Sequence, residues 1–94
     1  MGMICFDQRV SATSNTLINQ VGEESVLLNL NSEKYFGLDE VGTGMWQALI
    51  TSETIQKAYD SLLGEYDVDA QVLRQDLTNL IEKLLANGLI EINA

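Results

Sequence analysis

Residues Glu33-Lys34-Tyr35-Phe36-Gly37-Leu38-Asp39-Glu40-Val41-Gly42-Thr43-Gly44-Met45-Trp46 join a short aromatic strand directly to a capped helix, with no catalytic side chain between them. Side chains alternate along extended backbone, so Phe36 and Leu38 share one face of the strand Lys34 to Leu38, and Tyr35 and Gly37 share the other. Asp39 then offers an N-cap oxygen, and Val41, Met45, Trp46, Leu49 and Ile50 recur at helical spacing. A sheet element therefore runs straight into a packed helix.

Working upstream, Thr16 to Val21 and Ser25 to Leu30 have the composition of two earlier strands around the turn Gly22-Glu23-Glu24, and Asn31-Ser32-Glu33 turns the chain again into Lys34. Three strands joined by short turns make an antiparallel meander. Asp7 to Asn15 is polar and rich in Ser and Thr, which suits an extended lead-in or a loose edge rather than a core element. Met3 to Phe6 is a short apolar stretch that either pairs as a strand or anchors a neighbouring chain.

Downstream, Thr51-Ser52 breaks the first helix and caps a second, whose stripe is Ile55, Ala58, Tyr59, Leu62 and Leu63 and which Gly64 closes. Asp69 caps a third helix, with Val68 and Leu73 placed as a hydrophobic staple. Gly88 stands where a C′ glycine belongs, with Leu89-Ile90 packing back on it. The expected fold is α+β and winged helix-turn-helix-like, a three-stranded antiparallel sheet followed by three helices. It forms one domain over residues 1–94, with 1–15 as an extended N-terminal segment. In the third helix, at about 100° per residue, Leu73, Leu77, Leu80, Ile81, Leu84 and Leu85 cover an arc of roughly 140°, wider than a two-helix seam needs. Two readings stay open: a helix wrapped on both sides, or one edge of the stripe turned to a groove.

The chain has 94 residues, 46% of them apolar and none proline, enough for one core without staples. Its single cysteine, Cys5, makes no internal disulfide, and no charged start followed by an apolar run marks a signal peptide. No apolar run approaches the roughly 20 residues that cross a bilayer, and no helix has a basic face. A cytoplasmic protein with no membrane partner is expected. Fourteen acidic residues against five basic ones give a formal charge of −9, a field that repels phosphates and speaks against nucleic acid. A winged helix that reads DNA needs Arg or Lys on its recognition helix, and Asp69 to Ala86 offers Arg74 and Lys83 beside Asp69, Asp76 and Glu82.

Catalytic chemistry finds little support. Histidine is absent, which removes the commonest general base and metal ligand. Cys5 has no neighbouring group to lower its pKa. Asp67 and Asp69 are followed by Gln71 and Val72 where a calcium loop wants more oxygens and a glycine, and no lysine follows Gly37, Gly42 and Gly44 at phosphate-loop spacing. Asp60-Ser61-Leu62 has the look of a carrier protein's phosphopantetheine site, but Ser61 falls late in a helix rather than opening one, and the strand-rich first third has no place in a four-helix carrier. No catalytic residue, metal or cofactor is expected.

Tyr35-Phe36-Gly37-Leu38-Asp39 followed by Gly42 and Trp46, in a chain of three strands and three helices ending in Asn87-Gly88-Leu89-Ile90, resembles the PqqD-like family. These are leader-peptide recognition domains of ribosomally made peptide natural products. The resemblance is greatest to the stand-alone leader-binding proteins of lasso-peptide biosynthesis. It implies two partners, a precursor leader peptide and a transglutaminase-like cysteine protease or other precursor-modifying enzyme. A PqqD-type chaperone serving a radical enzyme is the alternative within the family. Carrier and DNA-binding readings lie outside it.

If Lys34 to Leu38 is an edge strand facing the third helix, its unpaired backbone groups can accept an extended peptide as a further strand, and a groove beside it can take alternate side chains. The resemblance implies the same mode. The expected peptide-binding residues are Lys34, Tyr35, Phe36, Gly37 and Leu38 on the strand and Val72, Leu73, Asp76, Leu77 and Leu80 on the helix. Asp76 is included as a carboxylate beside the apolar stripe, at a position where the family often has Asp. Arg74 is a weaker candidate for the same polar role.

Overall fold

The computed structural model describes residues 4–93. In chain order it forms β1 (Arg9–Ala12), β2 (Thr16–Val21), β3 (Glu24–Asn29), β4 (Lys34–Leu38), α1 (Glu40–Thr51), α2 (Ile55–Glu65), α3 (Ala70–Ala86) and β5 (Ile90–Asn93). Gly22, at φ 64°, makes the tight reversal that pairs Val21 with Glu24, so β3 begins one residue earlier than its composition suggested. Asn29 organises the next reversal, its side-chain oxygen accepting from the N–H groups of Asn31 and Ser32 at 2.9 and 3.3 Å. The result is an antiparallel sheet in the order β2-β3-β4.

Helix boundaries follow from their caps. Asp39 Oδ1 accepts from the Gly42 N–H at 2.8 Å and starts α1, as its position implied. Ser52, expected to cap α2, instead ends α1, donating its N–H to Ala48 O at 3.0 Å. Thr54 is the cap of α2, its hydroxyl accepting from the Lys57 N–H at 3.1 Å, and the helix runs through Gly64 to a C-cap at Tyr66. Asp69 caps α3 through bonds from Gln71 and Val72, though Val68 is 45% exposed and makes a loose staple.

The stretch expected as a polar lead-in holds β1, which pairs antiparallel with β5, Val10 opposite Ile92. Val10 is buried in the core. Four residues are too few for a period-two signal to stand out, and the partner strand lies at the other end of the chain. Met3 lies outside the described residues; of the apolar stretch it begins, Ile4 and Phe6 pack onto the core. That core is built from Leu27, Leu38, Met45, Trp46, Leu49, Ile55, Ala58, Leu62, Leu73, Leu77, Ile81 and Leu84, joined by Val10 of β1, Ile90 of β5 and Leu89 just before it. Among the described residues no helix is long and apolar enough to cross a membrane.

The C-terminus of α3 is fastened to the larger sheet. Leu89 N–H donates to Leu84 O at 3.0 Å and Gly88 N–H to Leu85 O at 3.1 Å, the paired bonds of a Schellman motif, with Gly88 at φ 69°. Asn29 Nδ2 donates to Asn87 O at 2.8 Å and Thr16 Oγ1 to Leu89 O at 3.0 Å. Gly88→Ala is strained twice over, because its φ disfavours a side chain and a Cβ there would stand 3.0 Å from Asn29 Nδ2. Urea denaturation should show it less stable by about 1–2 kcal/mol.

Candidate functional site

Among the described residues β4 pairs with β3 alone, so its other margin is an open strand edge. Antiparallel ladders alternate between residues that bond their neighbour and residues that face away. Leu30 N–H donates to Asn15 O at 2.8 Å in line with the β2–β3 register, so the even-numbered residues of β3 bond β2, and Ser25, Leu27 and Asn29 bond β4. Their partners Leu38, Phe36 and Lys34 are thereby used. The N–H and C=O groups of Tyr35 and Gly37 are left pointing outward along the open edge.

That edge borders a cleft of about 480 Å³ between β4, the first two turns of α1 and one side of α3. Phe36, Gly37 and Leu38 form its strand side, Val41, Gly42 and Met45 its floor, and Asp76, Asn79, Leu80 and Lys83 its helix wall. Helical geometry explains the wall. Leu73, Leu77, Ile81 and Leu84 hold the buried centre of α3's stripe, Leu80 lies about 60° to one side of Leu77, and Asp76 and Lys83 lie beyond it on that side. The wide apolar arc thus has its middle in the core and Leu80 at its open margin. Gly42 keeps the floor low: a Cβ there would come within 3.2 Å of Leu38 Cδ2.

Of the expected residues, the cleft brings together Phe36, Gly37, Leu38, Asp76 and Leu80. Lys34 and Tyr35 lie on the same strand outside it, Tyr35 on the opposite face of the sheet. Val72 is exposed one turn before Asp76 and beyond the cleft's end. Leu73 and Leu77, expected at the groove, are 3% and 0% exposed, so they support the wall from behind and offer it no surface. Arg74 is engaged elsewhere, its guanidinium lying 4.0 Å from the centre of the Phe6 ring, which meets Tyr59 edge-on. Asn79 and Lys83 were missed although they continue the helical stripe of Asp76 and Leu80. Val41, Gly42 and Met45 were missed because only tertiary packing brings α1 under β4.

The cleft mixes apolar walls with charge of both signs. Asp39 is held by its cap bond, while Asp76 and Lys83 stand exposed about two turns apart on α3. A different cavity, of about 520 Å³, lies away from the β4 edge, where Glu23, Glu40 and Glu65 surround the Tyr66 hydroxyl. Burial, and then the charges of Glu65, Glu40 and Glu23, push the Tyr66 phenol above its ordinary pKa. Gly44 leaves the room that hydroxyl occupies. Among the described residues no group of three or more His, Cys, Asp or Glu is placed to hold a metal ion.

The model of the family "Coenzyme PQQ synthesis protein D (PqqD)" matches residues 24–90. No curated protein matches the chain. Among solved structures, the chain is similar to TbiB1 in complex with the TbiA(beta) leader peptide. The two share 30% identity at a TM-score of 0.79 over 86% of this chain and 94% of that one. It is also similar to lasso peptide synthetase B1 complexed with the leader peptide, at 22% identity and a TM-score of 0.78 over 88% of this chain and 98% of that one, a likeness of fold.

Proposed function

This chain belongs to the PqqD family, and from that premise we propose that it binds the leader peptide of a ribosomally synthesised precursor as an added strand on β4 and presents it to a processing enzyme. One observation carries the reading: the open edge of β4 borders a cleft walled by α3, so an extended peptide finds backbone partners and side-chain space at the same place. TbiB1, 30% identical over nearly its whole length, is a protein seen with a leader peptide bound.

The two components have different jobs. Tyr35 and Gly37 offer backbone bonds worth about 1 kcal/mol each, which any extended peptide can make. Each apolar side chain buried in the cleft adds about 1.5–3 kcal/mol and depends on fit, so selectivity resides there. Phe36, Val41 and Leu80 supply most of the apolar contact over the largely buried Leu38 and Met45, and Asp76 and Lys83 pair with polar groups of the leader. The protein acts as a binding module in the cytoplasm, and the enzyme it serves is a transglutaminase-like cysteine protease that removes the leader.

A fluorescein-labelled synthetic peptide carrying the leader of the precursor encoded beside this gene should bind saturably, with anisotropy rising to a plateau and a midpoint between nanomolar and micromolar. The same leader in scrambled order should bind at least tenfold more weakly. Equal binding of the two, or none, would refute sequence-selective leader recognition.

A further inference from the structure

A strand added to β4 has two faces, and the cleft accounts for one of them. The other lies over the outer face of the sheet, where cross-strand pairing stacks Leu17, Leu28 and Tyr35 in one row and Asn19, Val26 and Gly37 in the next. This face is apolar and open. Leu17 is 54% and Tyr35 74% exposed, and with Val26, Leu28 and Gly37 they line a concavity of about 650 Å³. Gly37 interrupts it at the margin next to the open edge, for a Cβ built on Gly37 meets no atom within 4 Å.

The ladder decides what arrives there. Tyr35 and Gly37 turn their backbone groups outward, and the residues that bond them directly must place their side chains on the same face as Tyr35. The residue opposite Gly37 therefore projects over the missing side chain. Val26 lies two strand spacings from that residue, about 9.6 Å, so a long or aromatic side chain can cross the glycine and close on Val26 and Tyr35 while a small one leaves the gap unfilled.

Resting on the leader-binding reading, we infer that the outer face at Gly37 is a second side-chain subsite, which takes a bulky apolar residue of the leader and whose size limit is set by the absence of a side chain at Gly37. The occupant is a residue of the added strand because pairing along Tyr35 and Gly37 forces alternate side chains onto this surface. The walls Leu17, Val26 and Leu28 select for apolar character, and the Tyr35 ring favours an aromatic.

The test is a grid of two proteins against one peptide series. The parent and Gly37→Val, with Gly37→Ala as the milder form, are titrated with the labelled leader and its single alanine variants. Circular dichroism checks that each protein melts as the parent does, as expected because valine favours a strand more than glycine and has open space there. Expected is a loss of about tenfold or more for Gly37→Val with the unaltered leader, and one leader position at which alanine costs the parent a similar factor but costs Gly37→Val almost nothing. A folded Gly37→Val that binds the leader as the parent does overturns the subsite, as does a loss that is equal for every alanine variant. No binding of the leader by the parent overturns the leader-binding reading itself, and the subsite with it.

Discussion

Tyr35→Pro should weaken leader binding by about a hundredfold while leaving the protein folded. The ladder register directs the Tyr35 N–H to the open edge, so proline there removes a donor that β3 does not use. The incoming strand loses that bond and keeps an unpaired carbonyl, a cost of about 1–3 kcal/mol, and the pyrrolidine ring intrudes where its backbone must lie. Tyr35→Thr retains the N–H and serves as the control for loss of the ring. Anisotropy titration of both variants beside thermal melts reads the result. Equal affinity of Tyr35→Pro and Tyr35→Thr would mean that the leader does not add to β4.

On α3, Leu80→Asp and Leu73→Asp should part company. Leu80 is half-buried on the cleft wall, and a carboxylate there reaches solvent, so the fold persists. Binding should fall by tenfold or more, because about 1.5–3 kcal/mol of apolar contact is lost and a second negative charge is set one turn from Asp76. Leu73 is 3% exposed, and an unpaired charge buried at that depth costs several kcal/mol, comparable with the whole stability of a small domain. Leu73→Asp should therefore show no cooperative melt at all. Binding of the leader by a folded Leu80→Asp at parental affinity would move the groove to some other side of α3.

Much of the architecture is legible locally. The N-caps Asp39 and Asp69, the C′ glycine Gly88 and the alternation in Lys34–Leu38 each act through groups a few residues apart, and each stands where its neighbours in the chain imply. Where two local signals compete the reading slips: Ser52 and Thr54 are both able caps, and the bond from Ser52 N–H to Ala48 O gives Ser52 to the end of α1. The candidate site divides in the same way. Phe36, Leu38, Asp76 and Leu80 belong to patterns visible within one element, whereas Val41 and Met45 enter the cleft from a helix whose own periodicity says only that one face is buried.

What the amino-acid order determined by itself is the meander β2 to β4, the succession of three helices and the caps Asp39, Asp69 and Gly88, since periodicity, turns and caps involve bonds within a turn or a strand pair. The tertiary structure alone decided that β1 joins β5, that Leu77 is walled in while Leu80 is not, and that β4 keeps an open margin. Those outcomes depend on which surfaces distant segments exclude from water, and an amphipathic stripe wider than its neighbours can cover does not state which of its sides they will leave bare.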